Sequence, residues 1–237
     1  MKKLLLFVFL GTMVAVVPSM ASPVNCNPSG TYADLIALGS TGCLINGLLF
    51  DNFAFTPSAT GTGTLPTAVQ MGYTLDNPGI SSGTGELIYG FEFNPNLSVS
   101  GVGSEDIDIA YSIIAPSAEI TSIHLLETAV TSGGATATVA EGPDRACFGV
   151  NTGCSFLPTI QSIPSAPHQD LLGIGPYTEI DVFKDINVSS NNANGLAQIS
   201  NVRDSVDLNY GPEPATFGLL GGALIGLSMM ARRKKKA

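Results

Sequence analysis

A strict alternation of apolar and polar residues restricts the fold of this chain more than any other feature of its sequence. In the segment DIDIAYSI every second residue is large and apolar, and the residues between them are acidic or small. The apolar positions are Ile107, Ile109, Tyr111 and Ile113. Because successive side chains of a β-strand point to opposite faces, this pattern predicts a strand with one buried and one solvent-exposed face.

Further strand-like segments follow one another along the chain. They are NFAFT, ELIYGFEFN, AEITSIHLLETAV, ATATVA, YTEIDVFKDINVS and AQISNVRDSVDL, separated by Gly, Pro, Ser or Asn. Asn46-Gly47 in LINGLLF is a strong signal for a two-residue hairpin turn, and TYADLIALGSTGC has helical spacing up to Gly39. Many short strands without helices between them predict an all-β fold. We expect an antiparallel β-sandwich, jelly-roll-like, with one short N-terminal helix.

The N-terminus has the three parts of a secretory signal peptide. Two lysines precede an apolar stretch, residues 4–17, and small residues stand where signal peptidase requires them, ending at Ala21. A positive start, an apolar centre and a small-residue cleavage site are the marks of such a peptide. We assign residues 1–21 to it and expect the chain to be exported.

The C-terminus ends in an apolar stretch followed by basic residues. Residues 215–231 carry no charge, and as a helix they would be about 26 Å long, enough to cross the hydrocarbon core of a bilayer. The residues that follow are Arg232, Arg233, Lys234, Lys235 and Lys236. Positive charges at this point stop translocation and keep that end in the cytoplasm. We therefore predict a C-terminal transmembrane helix with the body outside.

A short proline motif, Pro212-Glu213-Pro214, stands directly before the apolar stretch. The two prolines prevent helix formation and hold the backbone extended. The motif, the apolar helix and the basic cluster together resemble the PEP-CTERM sorting signal of Gram-negative bacteria, to which we assign residues 209–237. Gly211 stands where that family commonly has Val, and this basic cluster is rich in lysine. The resemblance implies that exosortase, a membrane-embedded transpeptidase, removes the tail at the inner membrane and that the mature protein reaches the cell surface or extracellular polymer.

The body between the two signals, residues 22–208, is predicted to be one β-sandwich domain. Two of its segments, CNPSGTYADLIALGSTGCLINGLLFDNFAF and VFKDINVSSNNANGLAQISNV, look like segments of secreted PEP-CTERM proteins of unassigned function. The resemblance brings no known active site with it. It agrees with an exported domain and leaves the molecular activity open.

The charge of the body restricts its partners. Residues 22–211 hold eighteen acidic and three basic side chains, which gives a net charge near −15. Such a surface repels nucleic acid and anionic lipid, so we expect no nucleic-acid partner. It favours solubility outside the cell, and it would attract divalent cations or a cationic polymer.

The chain has four cysteines: Cys26, Cys43, Cys147 and Cys154. An even number in an oxidising compartment predicts disulfides, for which three connectivities exist. We favour the two local pairs, Cys26 with Cys43 and Cys147 with Cys154. The alternative, a zinc site, lacks a C-x-x-C motif and a histidine near any cysteine.

Two acidic clusters are the candidate metal or catalytic residues. The denser one is Glu105, Asp106 and Asp108; the other is Glu179, Asp181 and Asp185. Carboxylate oxygens suit Ca²⁺, so the first cluster is a candidate calcium site, although no EF-hand pattern is present. Paired carboxylates also cleave glycosides, and acids on the wet face of a strand serve solubility alone. All three interpretations stay open at the level of sequence.

Residues 79–83 read G-x-S-x-G, the pattern of a serine-hydrolase nucleophile elbow. That motif requires a helix after it, and the sequence here continues as a Gly/Ser loop. The histidines, His124 in a strand-like segment and His168 in a loop-like one, have no spacing that supports a catalytic role. We predict no catalytic residues.

The sequence thus favours a non-enzymatic protein with a structural role in the cell surface or the exopolysaccharide matrix of a biofilm. Its expected partners are exosortase and the inner membrane during sorting, and exopolysaccharide afterwards. The alternatives are a carbohydrate- or calcium-binding module and a glycosidase. The chain has no Trp and only 7% aromatic residues, which disfavours sugar stacking.

Overall fold

Strands form nearly all of the regular structure in the computed structural model, which describes residues 22–80, 87–144 and 159–209. The helical segments in these ranges are α1 (Tyr32–Ile36) and a 3₁₀ turn (Gly39–Thr41). The strands are β1 (Val24–Asn25), β2 (Ser29–Thr31), β3 (Cys43–Ile45), β4 (Leu48–Gly61), β5 (Gly72–Ile80), β6 (Leu87–Asn94), β7 (Leu97–Ser100), β8 (Gly103–Ile114), β9 (Glu119–Ser132), β10 (Thr136–Asp144), β11 (Ile160–Ser162), β12 (His168–Tyr177), β13 (Glu179–Ser190) and β14 (Leu196–Asn209). This confirms the predicted all-β class.

The strands form two sheets. The first has the order β1-β3-β4-β8-β13-β10-β11, and the second has the order β12-β9-β14-β6-β5-β2, with β7 also paired to β14. From β8 onwards the chain repeatedly changes sheet, so that β8, β10 and β13 lie in the first and β9, β12 and β14 in the second. The pairing among the described strands is antiparallel except at one edge, where the two-residue strand β1 runs parallel to β3. The jelly-roll-like connectivity stays a prediction.

The two sheets pack face to face through an aromatic core. Phe50 of β4 and Phe91 of β6 come from opposite sheets, and their ring centroids are 5.1 Å apart in an edge-to-face arrangement. Tyr111 of β8 meets Phe93 of β6 at 6.2 Å. Aromatic pairs in this geometry add about 1 kcal/mol each to the burial of their area. The four alternating apolar residues of β8 are all buried in this core, as their spacing predicts.

Local signals near the N-terminus have the expected effects. Asn46 and Gly47 both have positive φ, 49° and 86°, and they join β3 to β4 with Ile45 opposite Leu48. This is the two-residue hairpin that Asn-Gly predicts. The helix α1 begins where Asp34 accepts a hydrogen bond from the backbone N–H of Thr31 at 2.8 Å. It ends before Gly39 and is therefore shorter than its sequence pattern.

A disulfide joins Cys26 to Cys43, with the two Cα atoms 4.8 Å apart. The bond holds the segment around β1 beside β3 and encloses α1 between its two ends. Both cysteines are buried at the edge of the core. Cys147 and Cys154 lie outside the described residues, so their pairing stays a prediction.

Both terminal signals fall outside the described part of the chain. The signal peptide, residues 1–21, and the apolar stretch, residues 215–231, are thus predictions from sequence. Within the described ranges, no helix combines the length and the apolar character needed to cross a bilayer.

Candidate functional site

Three carboxylates come together on the outer face of the first sheet. Oxygens of Asp106, Asp108 and Asp185 all lie within 4.8 Å of one another. The strand register brings them together, because Asp108 of β8 stands directly opposite Asp185 of β13, and Asp106 is two positions away from Asp108 on the same face. We call these three residues the carboxylate trio.

Burial and electrostatic repulsion raise the pKa values of two members of the carboxylate trio, Asp185 and Asp108. Burial, together with the charges of Asp106 and Asp108, raises the pKa of Asp185 to about 6. Burial and the charge of Asp106 also raise the pKa of Asp108. A hydroxyl from β4, Ser58 Oγ, donates to Asp106 at 3.4 Å. A divalent cation placed among these oxygens would relieve the repulsion between them.

The structure separates Glu105 from the two aspartates that follow it in sequence. Glu105 points to the opposite face of β8 and is 5% exposed. It accepts backbone hydrogen bonds from Thr64 at 2.7 Å and from Ser98 at 2.8 Å. Glu105 thus fastens the loop after β4 and the start of β7 to β8, while Asp185 occupies the third place in the carboxylate trio.

A cleft of about 340 Å³ opens beside Glu105. Its lining consists of Thr64, Leu65, Pro66, Gln70, Pro95, Asn96, Leu97 and Glu105. Glycosidases need two carboxyl groups across the scissile bond, about 5–10 Å apart. This cleft holds one carboxylate, and two backbone N–H groups already bind it. The geometry gives no support to glycoside cleavage at this place.

The second acidic group that the sequence suggested does not form one cluster. Asp181 is buried and accepts a hydrogen bond from Ser112 at 2.7 Å. Asp51 lies nearby, and its pKa is raised by burial and by the charges of Glu179 and Asp181. Asp185 belongs instead to the carboxylate trio. Between Asp181 and Asp185 the exposed ring of Phe183, with 52% of its surface accessible, projects from the same face.

His124 is part of a buried polar network on the outer face of the second sheet. Its Nε2 lies 2.9 Å from Asp207 Oδ2 and 3.3 Å from Ser122 Oγ, and Ser122 donates to the same aspartate oxygen at 2.6 Å. Residues of these three types form the triad of serine hydrolases, but there the histidine uses one ring nitrogen for the serine and the other for the acid. Here both contacts involve Nε2, so Ser122 is not aligned for activation.

The other histidine and the elbow motif bring no further catalytic geometry. His168 begins β12 and pairs through its backbone with Leu126 of β9, so it belongs to a strand and not to a loop. Gly79 and Ile80 end β5, and the remaining residues of the G-x-S-x-G pattern lie outside the described part of the chain. The backbone of Gly79 pairs with Ile88, which places it inside a sheet.

Comparison with known families identifies the C-terminal segment. Residues 212–235 match the PEP-CTERM protein-sorting motif. The chain therefore carries the signal of an exported, exosortase-sorted protein with a surface or extracellular destination. A comparison with curated proteins finds no match.

Three solved structures are similar to the chain at low TM-scores. TmCBM61 in complex with beta-1,4-galactotriose is 11% identical, with a TM-score of 0.32 over 65% of this chain and 88% of its own. The enzymatically active domain of tailspike protein 4 of Bacteriophage CBA120 is 18% identical, with a TM-score of 0.28 over 66% of this chain and 19% of its own. A structure of carbohydrate-binding modules from the beta-sandwich superfamily is 11% identical, with a TM-score of 0.29 over 78% of this chain and 62% of its own. At such TM-scores, function has to be argued from this chain's own residues.

Proposed function

We propose that this chain is a structural component of the cell surface or extracellular polymer matrix, delivered there by exosortase after a transient stay in the inner membrane. The observation that carries the proposal is the sorting motif at residues 212–235. In this proposal, cleavage leaves the tail in the membrane and releases the β-sandwich body. The function therefore has to reside in the β-sandwich. The motif would place that body among exopolysaccharide, outside the cell.

The character of the body supports a structural role. Its core is aromatic and spans both sheets, a disulfide fastens its N-terminal segment, and its net charge near −15 keeps it soluble. The polar side chains that resemble catalytic residues are engaged in structural hydrogen bonds. Glu105 accepts hydrogen bonds from two backbone N–H groups, and Ser122 and His124 both contact one oxygen of Asp207. These features favour a durable module over an enzyme.

If the role is structural, the protein should associate with the extracellular polymer and should not degrade it. The mature chain is expected to co-fractionate with cell-free extracellular polymer and to leave the length of its glycan chains unchanged. Size-exclusion chromatography of the polymer before and after incubation measures the second point. Heat-denatured protein is the control. Glycans that shorten with native protein only would replace the structural role with hydrolysis.

The alternative function is a calcium- or carbohydrate-binding module, and the carboxylate trio beside Phe183 is the observation that favours it. Three carboxylates offer the hard oxygen ligands that Ca²⁺ prefers. The half-exposed ring of Phe183, on the same face, offers a surface on which a sugar could stack. A glycan array measured with and without calcium separates this function from the structural role, since a purely structural body selects no glycan.

Calcium is expected to stabilise the mature chain through the carboxylate trio. Binding to the folded state alone at one hundred times Kd adds about 2.7 kcal/mol, or about 5–10 °C in Tm for a body of this size. Differential scanning calorimetry in calcium and in chelator measures the shift. Asp108→Asn should remove it, because one ligand and one charge are lost. Glu179→Gln, an exposed acid at the start of β13, is the matched control and should retain it. An equal shift in both variants would place the cation elsewhere.

A further inference from the structure

A lysine and two acids lie completely buried between the two sheets. Lys184 Nζ is 2.6 Å from Glu141 Oε2 and 3.3 Å from Asp204 Oδ2. The exposed fractions of the three side chains are 0%, 0% and 1%. We call these residues the lysine triad. No sorting or binding role described above uses them.

Strand register brings the lysine triad together. Lys184 of β13 and Glu141 of β10 stand directly opposite each other in the first sheet. Asp204 of β14 comes from the second sheet, where it stands opposite Phe91 of β6 and Leu125 of β9. Phe91 and Leu125 are both fully buried. The contact between Lys184 and Asp204 therefore crosses the interior of the sandwich in a place from which water is excluded.

The lysine triad does not have the geometry of a satisfied ion pair. Among the described residues, both oxygens of Asp204 and one oxygen of Glu141 have no hydrogen-bond partner. A buried ion pair repays its desolvation only when such oxygens are also bound. One ammonium group also faces two carboxyl groups, which leaves the interior with one negative charge in excess if all three are ionised.

Burial favours the neutral forms of the two groups in contact. Burial lowers the pKa of Lys184, and the charge of Glu141 opposes this effect. Burial raises the pKa of Asp204 well above its ordinary value. A neutral amine is a nucleophile and a neutral carboxylic acid is an electrophile, while an ammonium ion and a carboxylate are neither.

We propose that Lys184 and Asp204 join through an intramolecular amide bond, with Glu141 moving the proton. Reacting atoms held about 3–3.5 Å apart in a dry site are in position for attack. Lys184 Nζ lies 3.3 Å from Asp204 Oδ2, an oxygen bonded directly to the carbon that would be attacked, and Glu141 contacts the same nitrogen. The bond links the first sheet to the second through the middle of the core.

The reaction balances without any further reactant. The lone pair of Lys184 Nζ attacks Asp204 Cγ, and Glu141 accepts a proton from that nitrogen. Glu141 then returns the proton to a hydroxyl on Cγ, the C–O bond breaks, and one water molecule leaves. The products are a secondary amide, Nζ–Cγ, and the original carboxylate of Glu141. No electron transfer occurs.

Peptide mass mapping of the full chain, isolated from its exporting cell and denatured, tests the proposal. We expect one branched peptide that contains Lys184 and Asp204 and is lighter than its two linear parts by one water molecule. Trypsin should not cut after Lys184, because an acylated lysine has lost the charge that the protease recognises. Linear peptides that end in an unmodified Lys184, recovered from folded protein, would overturn the proposal.

Variants separate the amide from a plain buried ion pair. Glu141→Gln keeps the size of the side chain and removes the proton acceptor, so the linked fraction should fall at least tenfold at unchanged circular dichroism. Asp204→Asn should form the same branched product with loss of ammonia, which no ion pair can do. Asp207→Asn, on the same strand but facing outwards, is the matched control and should be linked as fully as the parent. A parent-like linked fraction in Glu141→Gln would contradict the role of Glu141.

Discussion

Replacing Glu213 with alanine is expected to leave export intact and to hold the full-length chain in the inner membrane. In the proposed sorting route, the basic cluster would stop transfer and the apolar stretch would then hold the motif at the outer surface of that membrane. The prolines on either side of Glu213 disfavour a helix there, which would suit cleavage by the transpeptidase. Without the motif the processed form should fall to a small fraction of its normal amount. Cell fractionation followed by intact mass spectrometry measures both forms.

Two further variants complete this test of sorting. Glu179→Ala removes the same side chain from an exposed position of the body and should be processed normally. Neutral residues in place of 232–236 should weaken retention before processing, since the stop signal is lost. A plain anchor makes the opposite prediction: Glu213→Ala has no effect, and the surface form still contains residues 217–230. That outcome would refute cleavage of the tail.

One buried acid, Glu127, is expected to lower the stability of the mature chain by about 2.5 kcal/mol between pH 5 and pH 8. This residue is 2% exposed, and neither of its carboxyl oxygens has a hydrogen-bond partner among the described residues. Burial raises the pKa of Glu127 to about 7 from an ordinary value of 4.5. A shift of this size corresponds to about 3 kcal/mol, a change of more than about a hundredfold in the unfolding equilibrium.

The sign follows from where the proton binds more tightly. Between pH 4.5 and pH 7 the folded state keeps the proton on Glu127 and the unfolded state releases it. Stability therefore falls as pH rises through this window and levels off above it. Glu127→Gln removes the titration, so this variant should be more stable than the parent at pH 8. Urea unfolding at several pH values measures it, with Glu119→Gln at the start of the same strand as the control. An unchanged pH slope in Glu127→Gln would assign the effect to other groups.

Period-two patterns predicted the all-β fold because a strand that buries one face must alternate. The alternation of Ile107 with Asp108 and the turn at Asn46-Gly47 are local, and their outcome depends on few other residues. The pairing order of the strands is not local. It depends on which distant surfaces fit together, as when β14 enters the second sheet between β9 and β6.

The candidate sites likewise combine local patterns, which the sequence shows, with contacts between distant strands, which it does not. Asp106 and Asp108 are two positions apart, so the sequence alone predicts that they share a face. Asp185 joins them through strand register, which only the fold reveals. The departure of Glu105 follows from alternation, since Glu105 shares a face with Ile107. A sequence signal for the lysine triad did exist: Lys184 stands at an apolar position between Val182 and Ile186, which predicts an inward-facing charge. The sequence does not show which acids pair with Lys184, because Glu141 and Asp204 lie on other strands.

The positions of β13 and β14 set the time at which this protein can fold. They are the last strands in sequence, yet each lies in the interior of its sheet, between β8 and β10 and between β9 and β6. Export begins at the N-terminus, so the neighbours of both strands emerge first, each with one edge still unpaired. Only two residues separate Asn209 from Pro212, a path of about 10 Å at full extension. With the tail sorted as proposed, both sheets would close only as the sorting motif arrives at the outer surface of the membrane, so that completion of the fold would coincide with presentation of the proposed site of cleavage.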